Sequence, residues 1–389
     1  MLNYFATGRV VVAINKDCII PTNINNPIFE DIEVERVETL FQPQNLSNTS
    51  NISALLLIHI KGKDELSVID AVRKLSENPC VVYSRPDYFM FPHIIPNDPF
   101  FYYLWGKEVI KAPMAWDYST GNNKIVVGVL DSGIEFAHPD LKDNIWSPPY
   151  GRGIYDWNFS NDGYSPTDET GHGTHVAGTI GAIGNNSIGI TGVCWNVKIA
   201  ALKIGDNVFS ASAAIRAIHY AGINKIPILN CSWGNRAYCP CIKFAIENYD
   251  GLLIASAGND ASDNDNFPLY PASFECHNII SVAATAQNNG LAPFSNYGAI
   301  SVDIAAPGSD IYSTYLLGGY IHKDGTSMAA PHVAGAAALL KSYRPELTAL
   351  EMKKIILSSV DIQPQLSERV LTAGTLNLSK MIEMSASVA

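Results

Sequence analysis

The sequence predicts an α/β protein: a three-layer, mostly parallel, doubly wound sheet with helices on both faces, preceded by a small N-terminal α+β domain. Three observations lead to this prediction. From about residue 98 onward, continuous apolar runs alternate with helical stretches rich in small residues. The preceding residues instead mix strand-like runs with amphipathic helical stretches. Between the two regions, the segment RPDYFMFPHIIPNDP contains four prolines, which favour extended chain and place a domain boundary near residue 95.

The predicted N-terminal domain comprises residues 1–95. Its runs RVVVAI, ALLLIHI and CVVYS are typical of strands, and two amphipathic stretches are expected to form helices. The second of these stretches is DELSVIDAVRKLSEN. The apolar residues that define its expected buried face are Leu66, Ile69, Val72 and Leu75. The Asn- and Ser-rich run at residues 45–53 predicts a loop.

The larger predicted domain, residues 96–389, contains five continuous apolar strands. They are KIVVGVL, VKIAALKI, IPILNCS, GLLIASAGN and NIISVAAT. Strands that are apolar on both faces and separated by helices indicate a parallel sheet covered on both sides. Ligands of such sheets bind at the carboxyl ends of the strands, so functional residues are expected there.

The bulk composition excludes some classes of function. The chain has 389 residues, 47% of them hydrophobic, and a net charge of −11, which argues against nucleic acid or an anionic membrane as the main partner. The longest apolar runs, such as VAGAAALL, fall far short of the roughly 20 residues that a membrane span needs. The N-terminal MLNYFATGRVVVAINKD lacks the layout of a secretory signal, which leaves both an intracellular and a secreted location open.

The seven cysteines have an odd count and no regular spacing, so they do not predict a disulfide framework. Cys239 and Cys241, in YCPC, have no second pair at zinc spacing. We therefore expect no metal site there and leave a local disulfide open.

Three polar side chains lie where predicted strands end or a helix begins. Asp131 directly follows KIVVGVL, and a carboxylate at the end of a buried strand costs free energy unless a partner pairs with it. His172 lies between two glycines in GHGTHVAG, at the start of a predicted helix, and Asn259 ends the fourth strand. His175, one turn after His172, is expected to be a packing or capping residue. Taken alone, Asp131 could also be a helix cap or a metal ligand.

A hydroxyl opens the buried helix predicted in GTSMAAPHVAG. Ser327 could simply cap this helix. However, Pro331 lies four residues later and cannot donate to the carbonyl of Ser327, which loosens the first turn. The small neighbours Gly325, Ala329 and Ala330 also leave room for a substrate.

Together, the four residue types predict nucleophilic catalysis. A serine attacks only when an imidazole takes its proton, and that imidazole needs a carboxylate to fix its tautomer. The resulting oxyanion needs hydrogen-bond donors, which Asn259 and the N–H of Ser327 could supply.

The segments VLDSGIEFAHPDL, GHGTHVAGTI, ASAGN and DGTSMAAPHVAG resemble those of the subtilisin-like serine proteases, in the same chain order. The resemblance extends from residue 98 to about residue 360. It implies a subtilisin-like fold and serine endopeptidase activity. It assigns Ser327 as the nucleophile, His172 as the general base, Asp131 as the orienting carboxylate and Asn259 as the oxyanion donor.

The resemblance also implies a substrate groove. NCSWGN resembles the family's strand edge that pairs with extended substrate, so Ser232, Trp233 and Gly234 would form one wall of the main specificity pocket. The opposite wall would comprise Ser256, Ala257 and Gly258. Trp233 could alternatively be a core aromatic residue. IGDNVF is short and matches the second aligning strand of the family less well, which concerns the outer subsites. Leu269 stands near the pocket floor, where many relatives have a smaller residue, so we expect a shallow pocket.

The loop GNNSIGITG resembles the family's calcium loop. The resemblance implies a structural calcium ion and no cofactor for catalysis. The implied ligands are the side chains of Asp98, Asp140 and Asn186 and the carbonyl groups of Gly184, Ile188 and Ile190. An Asn-Asn-Ser turn is otherwise an ordinary loop.

In this family, a domain such as residues 1–95 resembles a propeptide that assists folding, inhibits the protease in the same chain and is removed by autoprocessing. Its last stretch, VVYSRPDYFMFP, would then pass through the substrate groove. The domain could equally be a permanent accessory. The partners implied are protein or peptide substrates and the chain's own N-terminal domain. A rival hypothesis is a catalytically silent or permanently self-inhibited relative that binds peptides. A nucleotide-binding enzyme is disfavoured because no G-x-G-x-x-G follows a strand.

Overall fold

The computed structural model describes residues 5–43, 51–88, 94–148, 158–160 and 165–387. The chain divides into two compact units, Met1–Pro92 and His93–Ala389. The predicted boundary near residue 95 lies three residues beyond this division. The last residues of the stretch VVYSRPDYFMFP, at positions 89–92, lie outside the described residues.

The N-terminal unit is a four-stranded antiparallel sheet with the order β2-β3-β1-β4 and one α-helix. Its elements are β1 (Phe5–Asn15), β2 (Val34–Phe41), β3 (Ile52–Ile60), α1 (Glu65–Ser76) and β4 (Val81–Tyr88). Asp64 caps α1 by accepting a hydrogen bond from the N–H of Ser67 at 2.9 Å. The core lies between the helix and the sheet, where Val12, Ile58 and Val68 pack together. The three predicted strands all form.

The predicted buried face of α1 is correct at two of its four positions. Leu75 is buried and Val72 packs against the core as predicted, but Leu66 is 78% exposed and Ile69 is 53% exposed. Val68 and Ala71 are buried in their place. The helix carries two apolar stripes at helical spacing, and the position of the sheet decides which of them is buried. Two helices were expected, but among the described residues of the unit α1 is the only α-helix, and a 3-10 turn lies at Pro27–Phe29. The predicted loop at residues 45–53 lies mostly outside the described residues, and its last two residues begin β3.

The larger unit is built on an eight-stranded sheet with the order β13-β14-β10-β9-β8-β7-β5-β6. All neighbouring strands run parallel except β13 and β14. The strands are β5 (Gly121–Asp131), β6 (Asn196–Lys203), β7 (Ile228–Cys231), β8 (Leu252–Ser256), β9 (Ile279–Thr285), β10 (Ile304–Pro307), β13 (Asp361–Ile362) and β14 (Gly374–Thr375). A separate hairpin comprises β11 (Ile311–Tyr315) and β12 (Gly319–Lys323). The five predicted strands correspond to β5 through β9.

Helices cover both faces of this sheet, which confirms the predicted fold class. They are α2 (Trp105–Val109), α3 (Ala112–Trp116), α4 (His172–Gly181), α5 (Ala211–Ile223), α6 (Pro240–Glu247), α7 (Thr326–Tyr343), α8 (Ala349–Ser358) and α9 (Leu378–Ser387). Alternate residues of β5 point to opposite faces. Val127 and Val129 pack towards α4 and α7, whereas Leu130 packs towards α5 and α6. In the described ranges, every helix is too short or too polar to cross a bilayer.

The described structure includes all seven cysteines. Cys18 and Cys80 form a disulfide bond, with 5.7 Å between their Cα atoms. They are 62 residues apart, so local spacing gave no sign of the pairing. Cys239 and Cys241 are free thiols, and the local disulfide left open above does not form.

Candidate active site

Asp131 is the last residue of β5 and is fully buried. Its Oδ1 atom accepts hydrogen bonds from Nδ1 of His172 at 2.7 Å and from the N–H of Ser132 at 2.7 Å. Within the described structure, its Oδ2 atom has no hydrogen-bond partner. The buried carboxylate is therefore paired with the imidazole and with one backbone N–H, as expected from the cost of burying an unpaired carboxylate.

His172 begins α4, beside the end of β5. The helix can come this close because position 173 is glycine: a Cβ there would lie 2.1 Å from the carbonyl oxygen of Gly133. Burial of the ring lowers the pKa of His172, but the charge of Asp131 and its hydrogen bond outweigh burial. The net effect is a pKa raised above the ordinary value. Asp131 thus stabilises the imidazolium and makes His172 a stronger base.

His175 is excluded as the base. Its ring is buried, and its Nε2 atom lies 3.0 Å from the carbonyl oxygen of Ile311 and 3.1 Å from that of Ile321. Burial lowers the pKa of His175 to about 3, so the ring is neutral and donates to these carbonyls. The prediction that His175 is a packing residue agrees with this position between α4 and the β11–β12 hairpin.

Ser327 is the second residue of α7, and two reciprocal hydrogen bonds join it to Ser232 at the end of β7. The Ser327 hydroxyl donates to the carbonyl of Ser232 at 3.1 Å, and the Ser232 hydroxyl donates to the carbonyl of Ser327 at 2.9 Å. The second bond satisfies the carbonyl that Pro331 leaves without a helical donor. Among the described residues, the Ser327 hydroxyl makes no hydrogen bond to His172.

Asn259 follows β8 and is oriented by Thr326, a residue that the sequence reasoning missed. The Oδ1 atom of Asn259 accepts hydrogen bonds from the N–H of Thr326 at 2.8 Å and from its hydroxyl at 3.0 Å. The side-chain amide must therefore present Nδ2 to the site as a donor. Gly325 has a φ of 150°, and a Cβ there would stand 3.5 Å from this Nδ2. A φ of 150° is one that residues with a side chain rarely adopt, so glycine suits the position before the Thr-Ser pair.

Asp168 is a second residue that the sequence reasoning missed. Its carboxylate accepts hydrogen bonds from the N–H groups of Gly171 and Thr174 at the start of α4, and from the hydroxyl of Ser132 at 2.8 Å. Ser132 in turn accepts from the N–H of Gly173 at 2.9 Å. Burial would raise the pKa of Asp168, but hydrogen bonds outweigh it and lower that pKa. Asp168 thus caps α4 as an anion and ties it to the residue after Asp131. An acidic residue just before a helix start was the available signal.

The two predicted walls of the substrate pocket follow β7 and β8. Gly234 is exposed, and neither its N–H nor its C=O bonds to another described residue, as an added strand requires. Trp233 is half-buried against the core, and its indole N–H donates to the carbonyl of Leu130 at 3.0 Å. On the other wall, Ser256 and Ala257 are buried.

Leu269 lies between these walls and is only 8% exposed. A Cβ at position 234 would lie 2.7 Å from its Cδ2 atom, and one at Gly258 would lie 2.8 Å from the same atom. The leucine side chain therefore fills the space between the two wall glycines.

The predicted calcium ligands converge on the loop between α4 and β6. Asp98 accepts hydrogen bonds from the N–H groups of Asn185 and Asn186, at 2.7 and 3.3 Å. Asp140 accepts from the side-chain amide of Asn186 at 2.9 Å and from the N–H of Ile190 at 2.8 Å. Burial raises the pKa of both carboxyl groups, and the charge of Asp140 adds to the effect on Asp98.

A sequence profile of the Subtilase family matches residues 122–376, which include Asp131, His172, Asn259 and Ser327. The chain belongs to the subtilase family. The profile begins at the start of β5 and ends after β14, so it spans the whole sheet of this subtilase.

Several known proteins are similar to this subtilase. Thermitase of Thermoactinomyces vulgaris is 38% identical over 253 residues, which are 64% of this chain and 85% of thermitase. A thermophilic serine proteinase of Bacillus sp. (strain AK1) is 37% identical over 70% of this chain and 66% of its own length. Subtilisin-like protease 2 of Plasmodium falciparum is 38% identical over 265 residues, but the chain spans only 19% of that relative's length. Among solved structures, a protease from Pseudoalteromonas arctica PAMC 21717 has a TM-score of 0.67 and 28% identity, covering 75% of this chain and 99% of that one.

Proposed function

We propose that this subtilase is a serine endopeptidase that hydrolyses peptide bonds in proteins or peptides. The observation that carries the proposal is the 2.7 Å hydrogen bond between buried Asp131 and His172, at the same sheet edge as Ser327 and Asn259. Such a pair raises the basicity of an imidazole, which is what activates a serine hydroxyl. A histidine that only packs in the core does not need a buried carboxylate hydrogen-bonded to its ring, and neither does a residue that only caps a helix.

In this proposal, the Ser327 hydroxyl rotates to His172 and attacks the scissile carbonyl carbon while Nε2 of His172 takes its proton. The tetrahedral oxyanion accepts hydrogen bonds from Nδ2 of Asn259 and from the N–H of Ser327, near the positive end of α7. Collapse breaks the C–N bond, and the leaving amine takes the proton from His172. Water then hydrolyses the acyl-enzyme by the same route and restores Ser327.

Labelling with a fluorophosphonate tests the proposal against a catalytically silent, peptide-binding relative. An active site transfers the phosphonyl group to Ser327, which mass spectrometry of the labelled peptide locates. The rival hypothesis is favoured if Ser327 stays unlabelled while the folded protein still binds peptides.

Replacing Asn259 by aspartate tests the oxyanion donor. Aspartate retains an acceptor for both hydrogen bonds from Thr326 but has no Nδ2 donor. We expect kcat to fall by about 10²–10³-fold or more, the range measured in subtilisin for loss of this donor, with an unchanged melting temperature. Asn288→Asp, in an exposed turn, is the matched control. Wild-type kcat in N259D would exclude Asn259 from the oxyanion site.

We also propose that the N-terminal unit is a propeptide and inhibitor of the same chain. In support, it is a compact unit with its own core, and it ends before the residues that the family profile matches. Intact mass tests the proposal: the wild type should lose roughly its first 95 residues, the length set by the proline-rich boundary, while Ser327→Ala stays whole. If neither the wild type nor the Ser327→Ala chain is cleaved, a permanent accessory domain or a silent site is favoured.

A structural calcium ion is proposed at Asp98 and Asp140. The described residues contain no cluster of three His, Cys, Asp or Glu side chains, so the site would combine two carboxylates with amide and carbonyl oxygens. Both carboxylates are buried, and no described Lys or Arg side chain forms an ion pair with either. A cation there would relieve their repulsion and supply a partner for the carbonyls of Gly184, Ile188 and Ile190.

Chelation should lower the melting temperature of the S327A chain, in which autolysis cannot interfere. A ligand at about a hundred times its Kd contributes roughly 2.7 kcal/mol, which corresponds to about 5 °C for a domain of this size. This decrease in melting temperature on chelation should be absent in Asp140→Asn. It should persist in Asp143→Asn, which makes the same charge change at an exposed position. If chelation leaves the melting temperature of the S327A chain unchanged, the proposed calcium site is wrong.

Leu269 is proposed to make the specificity pocket shallow. Replacing it by alanine should open the space between the two wall glycines. Peptides with Ala, Leu or Phe before the scissile bond measure the effect on kcat/KM. We expect L269A to gain about 10- to 200-fold in preference for Phe over Ala, whereas Leu371→Ala, at an exposed position, changes nothing. A wild type that already strongly prefers large aromatic residues would contradict this proposal.

A further inference from the structure

The disulfide bond of this chain is confined to the N-terminal unit. Cys18 and Cys80 are bonded there, whereas the five cysteines of the larger unit are free thiols. A dithiol reductant therefore has a disulfide to open in one unit only.

The disulfide holds together the two ends of a long loop. Cys18 follows β1 and Cys80 immediately precedes β4, two antiparallel neighbours in which Ile14 pairs with Val81. Beside it, the N–H of Asn15 donates to the carbonyl of Cys80 at 2.8 Å. The two cysteines are 62 positions apart, and the segment between them contains β2, β3 and α1, which is most of the unit.

A cross-link around so long a loop strongly restricts the unfolded chain. In the chain-entropy model, opening a loop of this length lowers the folding equilibrium constant by about a thousandfold. A unit of this size has only a small core, so such a change removes much of its stability. The larger unit has no disulfide and packs large clusters of buried residues on both faces of its sheet, so reduction leaves it unchanged.

The bond is accessible to a reductant. Both cysteines are half-buried rather than buried, and their neighbours Lys16, Asp17, Ile19 and Pro79 are exposed. By contrast, Cys194 and Cys231 are fully buried in the larger unit. Thiol–disulfide exchange requires an attacking thiolate to reach one of the sulfur atoms, which this exposure permits.

We propose that Cys18–Cys80 is a reductive switch: a dithiol opens it, the N-terminal unit unfolds, and the protease is released from inhibition. One thiolate of the dithiol attacks a sulfur of the bond and displaces the other cysteine as a thiolate. The second thiol of the reductant then attacks the mixed disulfide, so the dithiol ends as a disulfide and Cys18 and Cys80 end as thiols that carry its two protons. The proposal rests on the proposed role of the N-terminal unit as an inhibitor.

Hydrogen exchange of the full S327A chain, with and without dithiothreitol, tests the structural half of the proposal. Reduction should lower protection of the slowest amides in β1 and β3 by about a thousandfold, while amides of β5 and β8 keep theirs. The double variant Cys18→Ser/Cys80→Ser should show the same low protection of β1 and β3 without any reductant. The double variant Cys239→Ser/Cys241→Ser, which removes two free thiols, should lose protection of β1 and β3 on reduction to the same extent as the S327A chain. Unchanged protection of β1 and β3 on reduction overturns the switch even if the double serine variant fails to fold.

Hydrolysis of a peptide substrate by the wild-type chain tests the regulatory half. Dithiothreitol should shorten the lag before full activity, and the C239S/C241S chain should respond equally. If protection falls but the lag is unchanged, the disulfide does not control inhibition and the switch is wrong. If no chain hydrolyses peptides under any condition, the proposed function itself fails, a result that hydrogen exchange distinguishes from failure of the switch.

Discussion

Replacing Ser327 by alanine is expected to lower kcat by about 10⁶-fold, the loss measured in subtilisin for its nucleophile. Without the hydroxyl, no acyl-enzyme can form, and only the oxyanion donors and substrate binding remain. The fold should persist, because the hydroxyl contributes one hydrogen bond, to the carbonyl of Ser232. The reciprocal bond from the Ser232 hydroxyl to the carbonyl of residue 327 needs no side chain at that position.

Rates of peptide hydrolysis and the melting temperature of S327A check this expectation together. Ser342→Ala, on the same helix, is the matched control, because its hydroxyl donates to the carbonyl of Ala338 and contacts the buried thiol of Cys194, away from the candidate site. The control should keep wild-type kcat. If S327A retains more than about a thousandth of the wild-type rate, far above the residual expected of a missing nucleophile, another residue must be the nucleophile.

Replacing Asp131 by asparagine should lower kcat by about 10⁴-fold, the size of effect seen when the triad carboxylate becomes an amide. The amide can donate to Nδ1 of His172, which places the ring proton on Nε2, where the Ser327 proton must go. The two side chains are nearly equal in size, and Asp131 accepts only from His172 and Ser132 among the described residues. The loss should therefore appear in kcat with little change in structure.

The pH profile of the same variant isolates the electrostatic part of this effect. His172 acts as a base only when neutral, so activity is lost as the pH falls through its pKa. In the wild type that pKa is raised above its ordinary value, by the charge and hydrogen bond of Asp131 against the opposing effect of burial. In D131N, burial and the charge of Lys323 lower the pKa of His172, and the smaller effect of the Asp168 charge raises it. The acid limb of kcat/KM should therefore move to lower pH.

Asp310→Asn is the matched control for this profile. Asp310 also lies within hydrogen-bond distance of a histidine, at 2.9 Å from Nδ1 of His322, but both side chains are exposed and neither belongs to the candidate site. The acid limb of kcat/KM for D310N should coincide with that of the wild type. An unchanged limb in D131N would mean that Asp131 does not set the protonation of the catalytic base.

The sequence by itself determined the sheet of the larger unit and the edge at which its candidate site residues lie. Strands β5 through β9 are continuous apolar runs, and a run buried on both faces has few alternatives to a central parallel strand. Asp131, His172, Asn259 and Ser327 became candidates because each stands near the end or start of a strand or helix. Pro331 even indicated that the carbonyl of Ser327 needs a donor from elsewhere in the chain.

Only the tertiary structure decided which partners meet across long separations in the chain. It supplied Ser232 as the donor to Ser327, Thr326 as the residue that orients Asn259, and Asp168 as the anion that caps α4. It also buried the Val68 stripe of α1 instead of the Leu66 stripe, and it paired Cys18 with Cys80. The physical reason is common to all: helical periodicity and spacing are local properties, whereas hydrogen-bond partners, the buried stripe and a disulfide across 62 residues depend on the position of distant chain.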